Sequence, residues 1–137
     1  MNMAKAEPKT QKTKASAATF IAAVEDETRR KDAKAVDKML REITGEKPAM
    51  WGPSIIGYGE YDGPTGKWPR AGFSPRKANI VVYLAPESKD AALLRKLGKH
   101  KIGVSCLYIN KLADVDEGVL RKLIERSWAH TEKKYPD

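Results

Sequence analysis

The chain has 137 residues, of which 41% are hydrophobic and 32% are charged, and its formal net charge is +8. These proportions fit one folded domain rather than a disordered chain, and no window approaches the ~18 apolar residues of a membrane span. The lysine-rich N-terminus lacks the apolar core of a secretory signal, and the single cysteine, Cys106, cannot form an intramolecular disulfide. The sequence therefore predicts a cytoplasmic protein.

The net positive charge is spread along the chain. Residues 1–15 contain four lysines and one glutamate, show no apolar period and are predicted to form a disordered basic tail. In the rest of the chain the signs are interspersed, as in EDETRRKDAK at residues 25–34. Because recognition of nucleic acid requires clustered positive charge, nucleic acid is not an expected partner.

Two helices are predicted at the start of the folded part. Ser16 is a suitable N-cap for a short helix over residues 16–24. A longer helix is predicted over residues 27–44, ended by Gly45, which can adopt the left-handed conformation that follows a helix. Its core-facing stripe repeats at helical spacing and consists of Val36, Met39, Leu40 and Ile43.

The pattern then changes to short aromatic and β-branched segments. Strands are predicted at residues 55–61, 68–73 and 78–84, and glycine and proline occupy the gaps between them. Short gaps indicate antiparallel neighbours, because parallel strands need a long crossover.

The last third of the chain predicts a helix, a strand and a helix. Ser88 is the expected cap of a helix over about residues 89–97, and residues 102–110 alternate as a strand. Asp114 and a glutamate three residues later, Glu117, predict a capping box at the start of the C-terminal helix.

The elements together predict an α+β domain. Its antiparallel sheet has about four strands with the helices packed on one face, in the order α-α-β-β-β-α-β-α. Residues 16–130 are predicted to form this single domain, and residues 131–137 a C-terminal tail.

Aromatic and basic side chains concentrate between residues 51 and 77. Arginine beside aromatic rings suits a flat anionic group, through forked hydrogen bonds and stacking. The alternative interpretation is an edge strand protected by charge, with the aromatic rings in the core. The binding interpretation predicts a shallow pocket between residues 51–61 and 68–77 for an anionic small molecule or a protein partner. Its candidate residues are Trp51, Tyr58, Trp68, Arg70, Arg76 and Lys77.

Other kinds of site have little support in the sequence. The glycines of residues 57–63 resemble a phosphate loop but are not followed by a helix. The two histidines are not spaced as metal ligands, and no nucleophile lies in a catalytic motif. No metal or cofactor is expected, and an enzyme acting on an anionic metabolite is a further hypothesis without a motif of its own. The oligomeric state stays open.

Three blocks of sequence carry a family resemblance. They are ITGEKPAMWGPSIIGYGEY at residues 43–61, WPRAGFSPRKANIVVYL at 68–84, and LLRKLGKHKIGVSCLYINKLADVD at 93–116. In these blocks the chain resembles the bacterial YdhG-like domain of unknown function, over about residues 16–129. The resemblance implies a compact cytoplasmic α+β domain.

The same resemblance implies an alternative function. Some members of the wider family are described as frataxin-like intracellular iron chaperones, and frataxin-type iron binding uses an acidic ridge. Under this alternative the candidate ligands are Glu25, Asp26 and Glu27. The chain departs from the pattern, because its net charge is +8 and lysines and arginines interrupt its acidic helix.

Overall fold

The computed structural model describes residues 11–136. Most of the expected basic tail therefore lies outside the described residues. Short 3-10 turns occur at Pro86–Ser88 and Leu112–Asp114. The α-helices and strands are α1 (Ala17–Ala22), α2 (Glu27–Thr44), β1 (Pro48–Trp51), β2 (Ile55–Gly63), β3 (Gly66–Pro75), β4 (Ile80–Tyr83), α3 (Ala91–Leu97), β5 (Lys101–Ile102), β6 (Cys106–Ile109) and α4 (Glu117–Lys134).

The strands form one antiparallel sheet in the order β1-β2-β3-β4-β6-β5. The α+β class is confirmed, but within residues 11–136 the sheet has six strands instead of about four. One added strand is β1, which pairs with β2. The other arises because the predicted strand 102–110 is divided by a tight turn, in which the Gly103 amide donates to the Cys106 carbonyl at 2.8 Å.

Side chains cap the starts of α1 and α2. The predicted Ser16 cap is confirmed, although α1 ends at Ala22 instead of residue 24, and the Asp26 cap of α2 was not predicted. The Ser16 side chain accepts from the Thr19 amide at 3.1 Å, and Asp26 accepts from the Arg29 amide at 2.8 Å. Helix α2 begins and ends at the predicted residues, and Gly45 ends it in the left-handed region with φ of 71°. A residue with a Cβ would be strained there.

The caps of the two later helices differ from the prediction. Helix α3 is capped by Asp90, because the Ser88 hydroxyl instead donates to the Ala85 carbonyl at 2.8 Å. Helix α4 is capped by Asp116, which accepts from the Val119 amide at 3.0 Å, so Asp114 forms no capping box. Helix α4 also continues through Lys134, so part of the expected C-terminal tail is helical.

The hydrophobic core lies on one face of the sheet. Helices α1, α2 and α4 contact the sheet there, and α3 packs on α4. One cross-strand row shows the pattern: Ile56, Phe73, Val82 and Leu107 are paired in register from β2 to β6 and are at most 1% exposed. Burial of such side chains stabilises the fold by about 1.5–3 kcal/mol each.

The opposite face of the sheet, called here the outer face, carries the alternate residues. They include Trp51, Gly57, Gly72, Val81, Tyr83, Lys101, Cys106 and Tyr108. The indole of Trp51 folds across Gly57: a Cβ at Gly57 would lie 2.5 Å from Trp51 Cδ1 and 2.7 Å from Pro69 Cβ. Glycine is therefore required for this close approach.

The two edges of the sheet differ in structure. Residues 11–13 run beside β1, where the Thr13 amide donates to the Met50 carbonyl and the Gly52 amide donates to the Gln11 carbonyl, both at 2.8 Å. On the other side the last strand is β5, which has two residues. Among the described residues, no helix is long and apolar enough to cross a membrane.

Candidate functional site

The six predicted site residues do not share one pocket. Trp51 and Tyr58 are 2% and 0% exposed and lie on opposite faces of the sheet. Trp68 and Arg70 lie in the first half of β3, whereas Arg76 and Lys77 follow its last residue. The structure therefore separates the predicted pocket into a buried pair and two surface grooves, and the ligand-binding role of these residues stays a prediction.

Tyr58 belongs to a polar network inside the core. Its hydroxyl donates to Asp37 Oδ1 at 2.5 Å, and Arg41 Nη2 donates to Asp37 Oδ2 at 2.6 Å. Burial and the bonded carboxylate raise the pKa of Tyr58 above its ordinary value, so the phenol remains a neutral donor. The network connects β2 to α2, and both the tyrosine and the aspartate are buried.

The first groove, called here the terminal cleft, has a volume of about 430 Å³. It forms because β4 pairs only with residues Gly72–Pro75 of β3, while residues 66–71 extend beyond the end of β4. Three segments bound it: the extended part of β3, residues 83–87 and the end of α4. Its aromatic lining consists of Tyr61, Trp68, Tyr83 and Tyr135, and its basic side chains are Arg70, His130 and Lys134.

Arg70 forms the floor of the terminal cleft. It is 7% exposed, and its guanidinium donates to the carbonyl of Thr131 at 2.9 Å and to the carbonyl of Tyr135. These carbonyls belong to the last turn of α4, where a cation also complements the helix dipole. Arg70 therefore attaches the end of α4 to β3.

Two aromatic rings form a wall of the cleft. The rings of Tyr61 and Tyr135 are stacked, with centroids 4.3 Å apart and planes inclined by 17°. Burial raises the pKa of Tyr61. Trp68 lies near the hairpin turn, where its Nε1 donates to Thr65 Oγ1 at 2.9 Å. The flat faces of these rings are suited to an apolar, planar group.

An acidic residue occupies the rim between the half-buried His130 and the exposed Lys134. Glu87 Oε1 lies 3.1 Å from His130 Nε2, and Glu87 Oε2 accepts from Lys134 Nζ at 3.5 Å. A hydrogen bond from its own backbone amide and the nearby Lys134 ammonium hold the pKa of Glu87 below its ordinary value. The rim thus already holds one carboxylate between a lysine and a histidine.

The second groove, called here the turn groove, has a volume of about 360 Å³. It lies between the α1–α2 connection and the turn from β3 to β4, and Arg76 and Lys77 line it. Arg29 holds this corner together: its guanidinium donates to the carbonyl of Lys77 at 2.8 Å and to that of Asn110 at 3.0 Å, and it also bonds the carbonyl of Arg76. Arg76 Nη2 donates to the Tyr83 hydroxyl at 3.2 Å on the outer face.

The acidic residues named for the iron alternative have separate structural roles. Asp26 is the N-cap of α2, and Glu27 pairs with Lys31 at 3.3 Å. Glu25 is exposed in the connection between α1 and α2. Among residues 11–136, no three His, Cys, Asp or Glu side chains are grouped so that they could hold a metal ion.

Sequence reasoning missed most of the terminal cleft, since only Trp68 and Arg70 of its lining residues were predicted. Glu87, His130 and Tyr135 come from segments distant from residues 51–77, and α4 brings two of them to β3. The signal that could have indicated them is the helical spacing of His130 and Lys134, four residues apart on one face of a C-terminal helix.

Comparisons of the chain with models of protein families, with curated proteins and with solved structures found no match. The YdhG-like resemblance therefore stays a prediction that rests on the three sequence blocks.

Proposed function

We propose that the protein is a non-enzymatic binding module whose terminal cleft holds an anionic ligand. The observation that carries the proposal is the convergence of four aromatic rings and three basic side chains on one cleft of about 430 Å³. That volume lies within the range of about 300–1,000 Å³ typical of small-molecule sites. The occupant is a small molecule with a flat apolar body and one carboxylate or phosphate, or an acidic side chain of a protein partner.

The charges at the rim indicate how the anionic group is held. Lys134 and His130 both contact Glu87, so a ligand anion can take the place of this carboxylate between them. The side chains of Lys134 and Glu87 are 47% and 54% exposed, and solvent weakens exposed ion pairs of this kind. Exchange of Glu87 for a ligand anion is therefore inexpensive, while the rings supply apolar contact.

The iron alternative has weaker support in the geometry. The Asp26 carboxylate accepts a hydrogen bond from the Arg29 amide, and Glu27 forms an ion pair with Lys31. Oxygen ligands for a cation must converge on one point, and these carboxylates are committed to different contacts. Anaerobic titration with ferrous iron tests this alternative directly.

The test is thermal unfolding in the presence of phenyl phosphate, benzoate, inorganic phosphate or ferrous iron. A ligand at a hundredfold excess over its dissociation constant stabilises the folded state by about 2.7 kcal/mol. We expect phenyl phosphate to stabilise the protein more than inorganic phosphate, because only phenyl phosphate occupies both the rings and the rim. Stabilisation by ferrous iron alone would favour the iron alternative.

Two matched variants locate the site. Lys134→Gln removes a cation from the terminal cleft, and Lys77→Gln removes one from the turn groove. We expect the first to weaken phenyl phosphate binding about tenfold, which corresponds to about 1.4 kcal/mol, and the second to leave it unchanged. The reverse result would move the site to the turn groove.

A further inference from the structure

The half of the outer face formed by β4, β5 and β6 has a composition of its own. The register pairs Val81 with Tyr108 and Tyr108 with Lys101, and it pairs Tyr83 with Cys106. Directly paired residues point to the same side of a sheet. All five side chains therefore share the outer face, and over these three strands none of them is acidic.

Two tyrosines give this surface its aromatic character. Tyr83 and Tyr108 are half-buried and lie on adjacent strands as diagonal neighbours, with backbones about 7–8 Å apart. Cys106 lies on the same face, directly opposite Tyr83 and two residues from Tyr108, and its hydrogen bond to Tyr108 raises the pKa of that tyrosine. The two rings are thus held by the sheet itself rather than by a loop.

Two cations flank the rings. Lys101 is exposed and directly opposite Tyr108. Arg76 is exposed, and its guanidinium donates to the Tyr83 hydroxyl at 3.2 Å. The set Arg76, Tyr83, Lys101 and Tyr108, called here the stacking face, therefore combines exposed positive charge with ring surface on the outer face. Tyr83 also lines the terminal cleft, whereas Tyr108 does not.

We propose that the stacking face binds single-stranded nucleic acid. Proteins that bind single strands place aromatic rings under the bases and positive charge along the phosphates, commonly on an open sheet surface. Every base has a flat face that can stack, so this arrangement needs no sequence recognition. A duplex is a poorer match, because its bases are already stacked and a flat sheet presents neither a helix nor a ribbon to a groove.

A second copy of the chain is a less suitable occupant of this surface. Two stacking faces brought together would place the cations of one against those of the other, with no carboxylate from β4, β5 or β6 between them. Such like-charge contact is unfavourable. Interspersed charge in the sequence argued against nucleic acid. In the structure, however, the register places Lys101 opposite Tyr108, and the hydrogen bond to Tyr83 brings the Arg76 guanidinium to the same face.

The test is fluorescence anisotropy of a labelled oligothymidylate of about ten nucleotides with the full chain. Tyr108→Leu should weaken binding at least about fivefold, the lower end of the effect of losing one stacking ring, whereas Tyr108→Phe should retain it. Lys101→Gln should reduce the slope of log affinity against log salt by about 0.7, as expected for one lost phosphate contact on a single strand. Unfolding curves confirm that each variant is folded.

The matched control is Lys34→Gln, which removes an exposed positive charge from α2 on the other side of the sheet. It should leave the affinity within about twofold, because only long-range attraction changes. The proposal is overturned if Tyr108→Leu binds like the wild-type chain, if an abasic oligomer of the same length binds equally well, or if both lysine variants lose affinity equally. Tyr108→Leu should still bind phenyl phosphate, because Tyr108 does not line the terminal cleft. The two proposals, nucleic-acid binding at the stacking face and anion binding in the terminal cleft, can therefore fail independently.

Discussion

The six residues that the sequence indicated as a site divide into an interior group and a surface group. Trp51, Tyr58 and Arg70 are buried, whereas Arg76 and Lys77 are exposed and Trp68 is half-buried. The two arginines show the contrast best. Arg70 bonds carbonyls at the end of α4, and Arg76 reaches a tyrosine hydroxyl at the surface. The same residue type supports the fold within β3 and is exposed just after the strand ends.

The largest expected difference concerns the tryptophans. Trp51→Ala should lower the free energy of unfolding by about 3–5 kcal/mol, because it removes the indole that covers Gly57 and leaves a cavity. Trp68→Ala, at a half-buried hairpin position, should cost less than half as much. Urea denaturation measures both, and equal losses would mean that Trp51 is not part of the interior.

The arginines should differ almost as much. Arg70→Ala leaves the carbonyls of Thr131 and Tyr135 without these donors, and we expect a loss of about 3 kcal/mol. Arg76→Ala should stay within about 0.5 kcal/mol of the wild-type chain, as at most surface positions. The control Arg70→Lys keeps the positive charge but cannot make the bidentate contact to two carbonyls. It should therefore recover only part of the lost free energy of unfolding. Equal losses of unfolding free energy in Arg70→Ala and Arg76→Ala would contradict the assignment of Arg70 to the interior and Arg76 to the surface.

Tyr58→Phe tests the buried polar network. Loss of the hydroxyl removes one donor from the buried Asp37 and should cost about 2 kcal/mol. A double-mutant cycle with Asp37→Asn should show coupling, because the two side chains are in contact. No coupling would mean that the hydrogen bond contributes nothing.

The same variant should change the alkaline limit of stability. The pKa of Tyr58 is raised above its ordinary value of 10.0, so the folded state favours the neutral phenol. This contribution is complete below pH 10 and is lost as the pH rises further. The stability of Tyr58→Phe should therefore fall less steeply than that of the wild-type chain above pH 10.

The smallest effect is expected at the surface, on Glu87. Its pKa lies below the ordinary 4.5, first through its backbone amide and then through Lys134 and His130. The ionised form is therefore favoured by folding, and the contribution is lost as the pH falls below 4.5 through the lowered pKa. In an NMR titration, Lys134→Gln should raise the pKa of Glu87 only part of the way to 4.5. Full restoration would mean that the backbone bond contributes nothing.

The parts of the fold that local chemistry determines could be predicted from the sequence. Helix α2 has a cap, a continuous apolar stripe and a terminating glycine, and its predicted limits are confirmed. The cap of α3 was assigned wrongly because Ser88 and Asp90 are both capping residues, and only the 3-10 turn at Pro86–Ser88 decides between them. Strand β1 was missed because its four residues begin with proline and are stabilised by pairing with β2.

The site was less predictable because it depends on contacts between distant segments. Alternation along a strand tells which residues share a face, but not which face the helices cover. Tyr58 and Trp51 could therefore be recognised as aromatic, but their burial followed from packing. The terminal cleft requires the end of α4 to lie beside β3, and the bonds of Arg70 that hold it there span more than sixty residues of sequence.

The way in which the sheet ends has a consequence for the behaviour of the protein in concentrated solution. A long unpaired strand is a template on which other chains can assemble into fibrils. Here residues 11–13 bond to β1 on one side, and on the other side β5 offers two residues, one of them Lys101. Covering an edge, shortening it and placing a lysine on it are three recognised protections against such growth. Removal of residues 1–13 would uncover β1, and we expect the truncated chain to aggregate at a lower concentration than the full chain.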